Sequence, residues 1–224
     1  TMAIPSARQT LTDIGGTVSI NDSSANLAIT AGLRAGGTFQ VSGPVELSPP
    51  FQGRIAVGLN NLILTDNVLF DSSANGQIVM SGPLAGNSSI AGQVIFGETN
   101  INLAAAGGSV GSAPIPEISH IREPGAVRTT RKRANQIKTE TAKADSKIAL
   151  DISLQAPNKV FVRGRGLNAE LGGNLHIGGT TSAISPSGQI ELVRGNLDIL
   201  GRRLKLTKGI VTLQGNLTPY VEFA

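Results

Sequence analysis

The chain has 224 residues with 28 Gly, no Cys, no Trp and seven aromatic residues, and its formal net charge of +4 sits on a charged fraction of only 15%. Without cysteine there is no disulfide framework, Cys-ligated metal or thiol nucleophile, and the chain suits a reducing or an oxidising compartment equally. So much Gly with so few aromatics argues against a helical bundle and for many strands joined by tight turns, and no apolar run reaches the ~18 residues of a membrane-spanning helix.

Residues 1–104 read as a repetitive β-sheet segment. Leu27, Ile29, Ala31 and Leu33 alternate with polar or small residues, as do Ile55, Val57 and Leu59, and successive strand side chains point to opposite faces. A faint repeat runs through this half. Ser42-Gly43-Pro44 returns as Ser81-Gly82-Pro83, and Gly53 and Gly58 return as Gly92 and Gly97, at an offset of 39. The Asp22-Ser23-Ser24-Ala25-Asn26 string returns as Asp71-Ser72-Ser73-Ala74-Asn75 at an offset of 49. Two offsets argue for a repetitive sheet with loops of different length rather than a strict solenoid.

Residues 105–146 form the second segment, a Gly/Ala/Pro linker followed by a basic stretch. Its part from 129 to 146 is rich in helix formers, with Ile137 as the sole large apolar residue, so any helix there is short and exposed. Eight basic and three acidic residues fall between 122 and 147, so the chain's basicity is local. The stretch reads as a solvated linker or as a patch for anionic lipid headgroups centred on Arg128, Arg131, Lys132 and Arg133. Nucleic acid is not expected as a partner, because no aromatic side chain is interleaved to stack on bases.

Residues 147–224 carry the clearest pattern. Ile148, Leu150, Ile152 and Leu154 alternate with Ala149, Asp151, Ser153 and Gln155. Further short apolar runs include Leu175 and Ile177, Ile190 and Leu192, Leu197 and Ile199, and Val211 and Leu213. Turns are expected at Gly172-Gly173, Gly178-Gly179, Arg194-Gly195-Asn196, Gly201-Arg202 and Lys208-Gly209. Strands at intervals of about 8 to 12 residues predict an antiparallel meander.

Several motifs suggest chemistry that their context does not support. Gly107-Gly108-Ser109-Val110-Gly111 has the spacing of a nucleophile elbow but no following helix, and reads as a joint. Gly164-Arg165-Gly166-Leu167-Asn168-Ala169 matches a dinucleotide fingerprint, but strand-like alternation follows it, so a β-turn is expected. His120 and His176 are too few for a histidine metal site. The triplets at Asn21, Asn87 and Asn216 are unremarkable in a chain this rich in Asn, Ser and Thr. No enzyme, cofactor or metal is expected.

The run Ala156-Pro157-Asn158-Lys159-Val160-Phe161-Val162-Arg163-Gly164-Arg165-Gly166-Leu167-Asn168-Ala169-Glu170-Leu171-Gly172-Gly173 resembles the C-terminal domain of the TamB family. The hairpins at 188–192, 194–200, 201–204, 208–211 and 218–223 continue the likeness, which covers about residues 148–224. The resemblance implies an all-β fold, a long curved and mostly antiparallel sheet forming an open apolar groove (a β-taco), with the basic linker or short helix inserted. It implies a periplasmic location, an inner-membrane anchor upstream of this chain, and docking on the outer-membrane barrel TamA. Relatives typically continue past the position of Ala224, so TamA contact is expected through residues beyond it. The wider AsmA-like group implies phospholipid as the cargo.

On that reading the lining of the groove is Ile148, Leu150, Ile152, Leu154, Leu175, Ile177, Ile190, Leu192, Leu197, Ile199, Val211 and Leu213. The alternation alone equally describes the closed core of a β-sandwich. The competing function is a scaffold for outer-membrane protein assembly that offers sheet edges to nascent strands. An integral barrel is disfavoured, since aromatic girdles need more than seven aromatics.

Overall fold

The computed structural model describes residues 2–4, 9–66, 68–104 and 147–224, which form one compact unit. Ser109, His120 and the basic patch Arg128, Arg131, Lys132 and Arg133 lie outside the described residues, as does the whole linker segment between 105 and 146. The described residues contain thirteen strands and no helix.

The strands are β1 (Met2–Ile4), β2 (Gln9–Asn21), β3 (Ser24–Leu33), β4 (Thr38–Glu46), β5 (Gln52–Thr65), β6 (Phe70–Pro83), β7 (Ser89–Asn102), β8 (Ala149–Gly164), β9 (Leu167–Thr180), β10 (Ala183–Ile199), β11 (Arg202–Leu206), β12 (Gly209–Gln214) and β13 (Tyr220–Phe223). They make a single sheet in the order β1 to β10, then β12 and β13, with β11 off that path and paired to β10. β1 and β13 do not pair with each other, so the sheet is open and not a barrel.

Every pairing is antiparallel except that of β7 with β8, which is parallel. The expected meander is therefore interrupted once. Successive antiparallel strands need a short turn, whereas a parallel neighbour needs a connection that carries the chain back to its starting end, and the chain between β7 and β8 is long enough for that.

The strands are longer than the glycine pattern suggests. Gly172-Gly173 and Arg194-Gly195-Asn196 are not turns but lie within β9 and β10, of 14 and 17 residues. Glycine is needed there because neighbouring backbone approaches closely. A β-carbon on Gly172 would collide with the Pro157 carbonyl oxygen, and one on Gly173 with that of Gln189. The Gly178-Gly179 pair also lies inside β9, and the chain reverses just after it. At Arg165-Gly166 the fingerprint-like motif is a two-residue hairpin turn, with φ of 52° and 83°, the left-handed pair that a type I′ turn requires.

Six register irregularities interrupt the ladders, between Thr12 and Gly15, Leu59 and Leu62, Ser72 and Ala74, Ile95 and Thr99, Ala156 and Val160, and Leu192 and Arg194. Followed through the register, they lie on one line across the sheet. Ala31 faces Phe39 and Phe39 faces Leu59; beyond the β5 bulge Leu62 faces Ala74, and Ala74 faces Phe96. Farther along, Ala156 faces Gly173 and Leu171 faces Leu192. A bulge bends its strand and raises the local twist, so a row of them creases the sheet transversely to its strands.

Polar side chains hold the crease from the outer face. The Asn61 N–H, at φ 44°, donates to Asn75 Oδ1 at 2.8 Å. The carboxylate of Glu170, 10% exposed, accepts from the Lys159 N–H at 3.3 Å and from Arg194 Nε at 2.6 Å. Inside the crease lies the main apolar cluster, Leu33, Leu62, Ala74 and Val94, packed against Leu11, Phe39, Leu59, Leu64, Ile78, Phe96 and Leu154. No second sheet covers this face among the described residues, so its burial comes from the bending of the sheet.

Candidate functional site

The register assigns each strand residue to a face. On β8, β9 and β10 the pairs Ile152 with Ile177, Leu154 with Leu175, and Leu171 with Leu192 place apolar side chains abreast. Ile190 sits beside Val211, and Gly188 beside Leu213, extending that face onto β12. Past the β10 bulge, Leu197 lies beside both Leu167 and Leu204. Leu150, Ile152, Leu154, Leu175, Ile177, Ile190, Leu192, Leu197, Ile199, Val211 and Leu213 therefore share one face. Ile148 immediately precedes β8, where its carbonyl accepts the Thr181 N–H at 3.0 Å. Alternation and β-branched residues favour strands here, and the Gly-mediated close approaches fix which strands become neighbours.

At the crease this face encloses an apolar cavity of about 310 Å³, within the lower range of pockets for small molecules. Its walls are Phe70 and Ser72 on β6, Phe96, Thr99 and Ile101 on β7, Leu154, Gln155, Ala156 and Val160 on β8, Leu171, Gly172, Gly173 and Leu175 on β9, and Ile190 on β10. Of the residues expected to line a groove, Leu154, Leu175 and Ile190 meet here. The others extend the same face away from the cavity, and Ile199, 46% exposed, reaches the end of its strand.

The hydroxyls at the cavity wall are occupied. Ser72 Oγ and Thr99 Oγ1 are 2.6 Å apart, and Thr99 also donates toward the Gly97 carbonyl at 3.3 Å. Along β8, β9 and β12 the positions of this face carry no charged side chain. Such a surface offers area without directional bonds, and it removes apolar area from water at about 25 cal/mol per Å². Among the described residues no group of His, Cys, Asp or Glu comes together to hold a metal. His176 is an exposed β9 residue 3.6 Å from Asp151, on the opposite face.

The sequence reading missed the contribution of the first half: Phe70, Phe96 and Ile101 stand in the cavity wall beside Leu154. The bulge on β7 explains why. Phe96, Thr99 and Ile101 share a face although the first step between them is odd, so a strict period of two loses the strand halfway along.

A family model described as the TamB C-terminal domain matches residues 25–221. Nothing among the curated proteins and nothing among the solved structures matches the chain.

Proposed function

The chain belongs to the TamB family, by its C-terminal domain, and on that premise we propose that it shields phospholipid acyl chains in its apolar groove during transport between the inner and outer membranes. The reading is of a non-enzymatic segment, periplasmic in location and tethered by an inner-membrane anchor outside this chain. It rests above all on the apolar face that runs without a charged side chain from β8 through β9 to β12 and is enclosed at the crease by Phe96, Leu154 and Leu175. Acyl chains need continuous apolar cover and no fixed hydrogen bonds, and each buried methylene contributes about 0.8 kcal/mol. Photo-crosslinking residues at Leu154, on that face, and at Ser153, on the other, test the reading in cells. Phospholipid captured from position 154 alone supports it, and capture from neither position refutes it.

A second reading is an assembly scaffold acting with TamA by β-augmentation. It is favoured by the open edge at β13, where Tyr220, Val221 and Phe223 are exposed. That reading expects strand peptides, captured along β13, in place of lipid captured inside the groove.

A further inference from the structure

On the face opposite the groove, four polar side chains stand abreast on successive strands. Arg163 on β8 is beside Asn168 on β9, Asn168 is beside Asn196 on β10, and Asn196 is beside Lys205 on β11. With the adjacent Glu170–Arg194 pair they line a concavity of about 640 Å³. The concavity exists because β10 bulges between Leu192 and Arg194 and exchanges its neighbour there, pairing with β12 on one side of the bulge and with β11 on the other.

The donors and acceptors do not balance. Glu170 is the one acid in the lining, and both its oxygens are engaged, by Arg194 Nε at 2.6 Å and the Lys159 N–H at 3.3 Å. Arg163 gives Nη1 to Asn100 Oδ1 at 3.0 Å and lies over the Phe161 ring at 4.9 Å, which leaves further guanidinium N–H groups for a ligand. The Lys205 ammonium makes no hydrogen bond or ion pair among the described residues. Two uncompensated cations therefore stand at the ends of the row, separated at the backbone by roughly 14 Å at ordinary strand spacing, with two amides between them. Arg163 reaches toward Asn100 on β7, the side away from β9, so its guanidinium turns inward to meet a ligand while the Lys205 side chain leans toward it. An anion with several acceptor oxygens, reached from different sides, satisfies such a row, and phosphate is the common group with that geometry.

We propose that this outer concavity binds a phosphate-class anion, with Arg163 and Lys205 neutralising it and Asn168 and Asn196 donating amide N–H groups. The site is on the other face from the groove, so the proposal stands or falls independently of lipid shielding. The phosphate could be supplied by a lipid headgroup or by a soluble phosphate ester, and two probes separate these sources. Inorganic phosphate is titrated into the full chain by calorimetry, and the full chain is sedimented with phosphatidylcholine vesicles with and without phosphatidylglycerol.

The double variant Arg163→Gln/Lys205→Gln is expected to weaken binding by roughly tenfold or more. Arg34→Gln/Arg54→Gln, which removes the same charge from the β3–β5 region of the sheet, leaves it unchanged. Lys205→Gln alone, breaking no bond, weakens binding with an unaltered circular dichroism spectrum. Loss confined to phosphatidylglycerol vesicles assigns a headgroup, and loss that extends to inorganic phosphate assigns a soluble ester. Binding of neither probe, an equal loss in the Arg34/Arg54 variant, or full binding by Lys205→Gln each overturns the proposal.

Discussion

Replacing Ile152 by Arg puts a cation on the groove face, and the size of its two effects separates an open trough from a closed core. Ile152 is half-buried beside Ile177 on β9. Fully burying an Ile stabilises by about 1.5 to 3 kcal/mol, so a half-buried one forfeits on the order of 1 kcal/mol. The Arg stem recovers part of that by lying along apolar neighbours with its head toward water. The expected loss of folding stability in urea is therefore about 1 kcal/mol, with an unchanged m-value. In a closed core the unpaired charge would cost about 3 to 5 kcal/mol. An acyl chain occupying the groove would meet the guanidinium directly, and translocon-type scales put a charge among acyl chains at about 2.5 to 3.5 kcal/mol. That corresponds to a fall of about a hundredfold in the affinity of a fluorescent fatty-acyl probe. Asp151→Arg, on the opposite face, should change neither quantity appreciably. Unaltered probe binding in Ile152→Arg, or a stability loss above about 3 kcal/mol, would refute the groove.

Glu170→Ala should lower stability by roughly 1 to 3 kcal/mol in urea titration, because the bulge N–H of Lys159 and the Arg194 guanidinium lose a largely buried acceptor. Gly173→Val should destabilise more strongly, to the point of little folded protein by circular dichroism, since its β-carbon meets the Gln189 carbonyl and the Ile190 α-carbon. Ala156→Trp, facing into the crease cavity, should cost no more than about 1 to 3 kcal/mol of folding stability in urea while displacing the acyl probe. Lys substituted at Val221 on the open edge should abolish capture of strand peptides if β-augmentation operates and leave acyl-probe binding intact.

The fold class was legible wherever the period of two ran unbroken. Leu150 to Leu154 on β8, Leu175 with Ile177 on β9, and Val211 with Leu213 on β12 alternate cleanly, and the register puts them on one face. Strand length was not legible. Gly172-Gly173 and Arg194-Gly195-Asn196 have turn composition, yet they sit mid-strand because glycine serves close backbone approach as well as reversal. Nor could composition distinguish a creased single sheet from two packed ones. Both need one apolar face, and what differs is the pairing of β7 with β8, which joins sequence-distant strands into one sheet.

The bulges that hide the groove from the sequence also make it. At Leu59–Leu62 and Phe96–Thr99 residues that share a face are an odd step apart, so an alternation count goes out of step there, whereas Ala156–Val160 adds two residues and keeps its parity. The same extra residues bend each strand at one level, and that alignment brings Phe70 and Ile101 into one cavity with Leu175 and Ile190. A sheet with unbroken alternation would have been easier to read and flatter, with its apolar face left open to water. Burial without a second layer requires the irregularities, which is why the residues hardest to place by pattern, Phe96 and Thr99 among them, stand where the groove is deepest in apolar contacts.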